Sequence, residues 1–184
     1  MLKPETRVLA LDDCAFTFEQ AHVLIIGAVF RGSSQIDGVL STTITKDGAD
    51  ATERLTVAIN GSRHHDQLSY VLMKGITFGG LNVVNIRTLN ERTGVPVIAV
   101  QRKRPNVDEF TKALARFSDG RHEAVEAAGP LYTYGNGFFQ CAGCSSDEAR
   151  DVLRLTCTRS NIPEPLRVVH LIASGLSGDS RGRA

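Results

Sequence analysis

The 184-residue chain has little net charge: 21 Lys and Arg against 20 Asp and Glu, a formal +1. That near-balance excludes a protein defined by bulk positive charge and leaves room for a local basic groove. Long hydrophobic runs are also missing. The longest near-apolar stretch, Val23–Phe30, is far too short to span a bilayer, and residues 1–6 form no charged-then-apolar leader. A soluble, cytoplasmic protein with no membrane partner is the expectation. Cysteine is sparse, with four residues at Cys14, Cys141, Cys144 and Cys157. One CxxC, Cys141–Cys144, lacks a second close pair, so buried reduced thiols are favoured over a four-cysteine zinc site. No internal repeat, low-complexity block or long linker interrupts the chain, and one domain over 1–184 is expected.

What is present is an ordered series of strands and helices. Val8–Leu11 (VLAL) reads as a central strand and Ala21–Phe30 as a long second one. Gly38–Thr45 (GVLSTTIT), rich in β-branched residues, is the third. Short connections make these three antiparallel neighbours. Asp50–Glu53 is a capping-box signature opening a helix that stops at Gly61. Leu68–Met73 reads as a fourth strand, Asn82–Arg92 as a helix stopped by Gly94, and Val95–Val100 as a fifth strand. Val107–Phe117 and His122–Ala128 are further helices, and Phe138–Ala142 is a short strand or extended piece. Ser145–Glu148 caps another helix, and Pro163 and Pro165 open the last one. The tail from Gly178 reads as frayed or docked. Three antiparallel strands followed by strand–helix alternation are the layout of an RNase H-like mixed sheet.

Four blocks carry a resemblance: RVLALDDCAF, DGVLSTTITKDGADATERL, VLMKGITFGGLNVVNIRTLNERTGVPVIAVQRKRP and TRSNIPEPLRVVHLIAS. Together they resemble a largely archaeal family of uncharacterised proteins, domain-of-unknown-function family ninety-nine. That family is similar to endonuclease V, a nuclease that cuts near deaminated bases with bound magnesium. The resemblance implies an endonuclease V-like fold, a magnesium or manganese ion as cofactor and nucleic acid as partner. It also implies three metal carboxylates, which suit a hard cation that prefers oxygen ligands.

Carried over by residue, Asp12 takes the strand-one aspartate. The strand-three carboxylate falls near Ile44–Thr45, where there is none, and Asp47 is the nearest substitute. The fourth-strand carboxylate falls on Lys74. The basic residue after strand five falls on Arg102, followed by Lys103 and Arg104. A histidine expected near GITFGG is missing, a later one falls near Cys144, and the aromatic wedge has become Ser34–Asp37. Lys74 suggests a metal site rewritten as a salt bridge to Asp12. Asp13, a candidate for contacting substrate, should face away from Asp12, because successive strand side chains alternate.

Other candidates have simple alternatives. Gly79 and Gly80 form a tight turn or bring N–H groups to an anion. Lys103 and Arg104 meet phosphates or are merely solvated. His64–Asp66 reads as a solvated turn. Arg167 and His170, one turn apart on the last helix, are candidates for a supporting polar role. Three functions follow: a nucleic-acid binder with a degenerate metal site, an active metal-dependent endonuclease on deaminated DNA or RNA, or a small-ligand or assembly protein.

Overall fold

In the computed structural model, which describes residues 2–178, the N-terminal apolar run becomes strand β1, Arg7–Asp13. Its alternation divides the protein into two cores. Leu9 and Leu11 face one cluster, while Val8, Ala10 and Cys14 face the other. Strand β2, His22–Arg31, pairs antiparallel with β1, and β3, Gln35–Thr45, pairs antiparallel with β2. Tyr70–Lys74 forms β4, parallel to β1, and Val97–Gln101 forms the fifth predicted strand, parallel to β4. The RNase H-like, endonuclease V-like mixed sheet is therefore present.

Between those last two strands lies a short hairpin, β5 (Thr77–Phe78) and β6 (Asn82–Val83), making Val97–Gln101 strand β7. The helix expected from Asn82 begins only at Ile86, as α2 (Ile86–Thr93). Asn85 caps it by accepting from Thr88 N, and Gly94 ends it in the left-handed region at φ 70°. Helix α1, Ala51–Asn60, precedes it, but Asp50 makes no capping bond. Its carboxylate instead accepts from Thr45 N and Asn82 Nδ2, while Asn82 Oδ1 accepts from Ala51 N at the helix start.

Beyond β7 come α3 (Val107–Leu114) and α4 (Arg121–Ala127). A hairpin of β8 (Tyr132–Tyr134) and β9 (Gly137–Ala142) follows, with β9 antiparallel to β7. The sheet order is β3-β2-β1-β4-β7-β9-β8. Helix α5, Ser146–Thr156, opens on Ser145, whose hydroxyl accepts from Glu148 N. Helix α6, Glu164–Leu176, lies across β1, β2 and β4. The tail expectation at 179–184 falls outside the described residues. No helix among the described residues is long and apolar enough to cross a membrane.

Candidate functional site at the carboxyl edge of the central strands

The parallel strands β1, β4 and β7 end side by side. In register, Leu11 pairs with Met73 and Lys74 with Val100, so Asp12 and Lys74 end neighbouring strands. Ligand sites of α/β sheets gather at such an edge.

Asp12 is buried, 4% exposed, and faces α6. Its Oδ2 lies 2.7 Å from His170 Nδ1, and its Oδ1 accepts from Asp13 N at 3.1 Å. A carboxylate on one ring nitrogen fixes the imidazole's orientation and tautomer. Asp13 takes the other side of the strand: its Oδ2 accepts from Gly79 N at 2.8 Å. Burial raises the Asp13 pKa, and the Asp12 charge adds to this, against the Gly79 N–H and the Lys74 charge.

Lys74 departs from the expected salt bridge. It is exposed at the end of β4, and no ion pair joins it to Asp12; His170 is the partner. The physical reason is placement. Helix α6 delivers an imidazole over Asp12, while the lysine stem reaches solvent and keeps its ammonium hydrated. Lys74 nonetheless borders two cavities. One, of about 110 Å³, is shared with Val100, Arg102, Ile162 and Leu166. The other, of about 770 Å³, runs beside Gly75, Gln101, Gln140, Asn106 and Phe110. Arg102, Lys103 and Arg104 follow β7 as three exposed side chains.

Asp47 is committed elsewhere. It holds a left-handed conformation at φ 50°, and its Oδ1 accepts from Leu81 N at 2.9 Å. The Gly79–Leu81 turn thus gives its amides to the protein's own carboxylates, Asp13 and Asp47. This corrects the anion-site reading of Gly79. Gly80 adopts φ 89°, and a Cβ there would collide with Asp47 Oδ1. Arg121, 4% exposed, locks the same corner by donating to Leu81 O at 2.9 Å and Asp47 O at 2.5 Å. Nothing in the spacing around Arg121 signalled that role. Arg167 pairs with Glu164 on its own helix and borders a groove with Phe30, Ser33 and Ser34, so it is not brought to Asp12. His170, its neighbour one turn on, is.

A magnesium or manganese ion needs several convergent oxygen donors. Among the described residues no group of three or more His, Cys, Asp or Glu side chains converges. Asp12 is held by His170, Asp13 turns to Gly79 and Asp47 to Leu81. The three-carboxylate set expected from the resemblance is not assembled by these residues. The four cysteines are free thiols.

The chain as a whole is similar to several known proteins. The chain is 48% identical over 197 residues to a UPF0215 protein of Methanothermobacter thermautotrophicus, covering all of this chain and 94% of that one. It is 50% identical over 192 residues to a UPF0215 protein of Methanosarcina acetivorans, covering all of this chain and 97% of that one. The crystal structure of an Archaeoglobus fulgidus protein of unknown function superposes with a TM-score of 0.88 at 33% identity, over 93% of this chain and 98% of that one. Endonuclease V of Ciona intestinalis, solved with inosine-containing DNA, shares the fold at a TM-score of 0.59 and 12% identity, over 91% of this chain and 84% of that one. Residues 4–177 match the family described as Endonuclease dU, and this chain, an endonuclease V-like protein with archaeal relatives, belongs to that family.

Proposed function

We propose that the chain binds DNA carrying deoxyuridine at the carboxyl edge of β1, β4 and β7. The observation that carries this reading is the buried Asp12 carboxylate, in contact with His170, set beside an exposed cationic row, Lys74 and Arg102–Arg104. Cations along a strand's path supply most of the affinity for nucleic acid. The 770 Å³ cavity next to Lys74 supports an extrahelical base, since enzymes that read a lesion turn the base out of the stack. The choice of lesion comes from the family's description.

A second reading, hydrolysis of the bound strand, is favoured by the geometry of the pair itself. A carboxylate and an imidazole in contact at 2.7 Å at the sheet edge are groups of the kind that move protons in hydrolysis. Lys74 would then face charge developing on phosphate.

The test uses fluorescent oligonucleotides, single-stranded, as DNA and RNA, with deoxyuridine, inosine or neither, with and without magnesium or manganese. Salt-sensitive retention favouring deoxyuridine, weakened when Arg102, Lys103 and Arg104 are changed to Ala, is expected. Strand cutting lost in His170→Ala establishes the second reading. Absence of salt-sensitive retention on every strand overturns both.

A further inference from the structure

We propose that Phe18 is a stacking platform for a nucleobase, with Lys46 as the cation beside it. This rests on the reading that the Asp12 edge binds a DNA strand. Phe18 sits in the loop joining β1 to β2 and is 91% exposed, the most exposed large apolar side chain among the described residues. A ring in that position contributes almost nothing to the core, so packing does not account for it. Scattered exposed apolar residues are ordinary. Phe18 differs because its ring carries a cation and its loop is tied to the site.

The Lys46 ammonium lies 4.7 Å from the ring centroid and donates to the Phe18 carbonyl. Lys46 N donates to Ala21 O at 2.9 Å, and Cys14 N to Leu24 O at 2.8 Å, closing the base of the loop. From Lys46 the chain leads directly to the edge: Asp47 N donates to Gly79 O at 2.9 Å, and Gly79 N to Asp13 Oδ2 at 2.8 Å. On the other flank, where α6 ends, Ser177 Oγ donates to Ala15 O at 3.2 Å.

An open aromatic face next to an ammonium fits one ligand chemistry well. The base stacks on the ring and its phosphate meets the cation, a mode that tolerates any base. The Ser34–Asp37 turn does not offer this: it has no aromatic, and lies at the Arg7 end of β1, away from Asp12.

The chain has no tryptophan, so Phe18→Trp introduces a lone indole as reporter. Its emission should be quenched on titration with a single-stranded deoxyuridine oligonucleotide. Val57→Trp, at an exposed position of α1, should give no quenching. Phe18→Ala should weaken binding about ten-fold while leaving the thermal midpoint unchanged, and Phe18→Trp should retain the affinity. Lys46→Met should weaken binding and flatten its salt dependence. If wild type binds, but Phe18→Ala matches it within about two-fold and Phe18→Trp stays unquenched, stacking is overturned and the edge reading stands. If wild type shows no salt-sensitive binding, the edge reading fails and stacking falls with it.

Discussion

Asp12 Oδ2 and His170 Nδ1 meet at 2.7 Å across 158 residues of chain. The contact joins the end of the first strand to the last helix, so it can form only once the sheet and α6 have docked. Removing one partner leaves a buried polar group without its bond. His170→Ala is expected to lower stability by about 1–3 kcal/mol in urea unfolding. Asp12→Ala should cost a comparable amount, and the double variant less than the sum. Strict additivity would show that the two side chains are not coupled.

Half of that contact was readable in the sequence. Asp12 ends an apolar run, and its separation from Asp13 by face follows from strand alternation alone. The choice of His170 over Lys74 was not readable, because it depends on where α6 crosses the sheet, and helix docking leaves no local periodicity. The elements that differ from expectation are set by turn chemistry and by contacts distant in the chain. Tyr132–Phe138 (YTYGNGF) carries a Gly-Asn turn between two β-forming runs, the signature of the two-residue hairpin that β8 and β9 form, whereas the strand expectation reaches only Phe138–Ala142. At Asn82 the helical period of Val83, Ile86 and Leu89 extended past its true start, because Val83 is buried in a strand as well as it would be in a helix. The capping box at Asp50 failed for a tertiary reason: Thr45 and Asn82 took the carboxylate.

Asp13 should make stability depend on pH in a defined direction. Burial, with the Asp12 charge second among the raising influences, lifts its folded pKa above the ordinary 3.8. The folded protein therefore holds a proton that the unfolded chain has released. Stability should fall as pH rises from 3.8 through the raised folded value, and the full penalty should persist above it. Asp13→Asn, whose amide oxygen can still accept from Gly79 N, should remove this dependence and be the more stable protein at neutral pH. Paired urea titrations across the acid range measure it; a variant less stable than wild type at neutral pH would reverse the sign and reject the argument.

The corner formed by Asp47, Gly79–Leu81 and Arg121 should behave as a structural clamp. Asp47→Asn keeps an acceptor for Leu81 N and tolerates the left-handed backbone, so a change within about 0.5 kcal/mol is expected. Asp47→Ala loses the acceptor and keeps the strained backbone, and should cost about 1–3 kcal/mol. Arg121→Met should cost about 3 kcal/mol, because it frees two carbonyls and the Asp119 carboxylate. Arg121→Lys should recover little, since one ammonium cannot span three acceptors. A calorimetric titration with manganese separates this role from metal ligation: binding by wild type that Asp47→Asn abolished would make Asp47 a ligand.

The cysteines offer the sharpest distinction between a metal site and inert thiols. Burial pushes the Cys144 and Cys157 thiols up to about 12, and burial likewise raises Cys14 and Cys141. Only the thiolate attacks reagents or binds zinc, and at pH 8 a thiol with that value is ionised in roughly one molecule in ten thousand. Cys141 and Cys144 are neighbours, with Cys141 Sγ 3.7 Å from Cys144 O, but the described cysteines do not converge as a ligand set. A disulfide reagent should therefore react slowly with the native protein and rapidly with all four thiols in guanidinium. A chelator should leave the melting temperature where it was, because the described cysteines form no converging ligand set. A chelator-induced drop in that temperature, restored by added zinc, would show instead that the thiols are metal ligands.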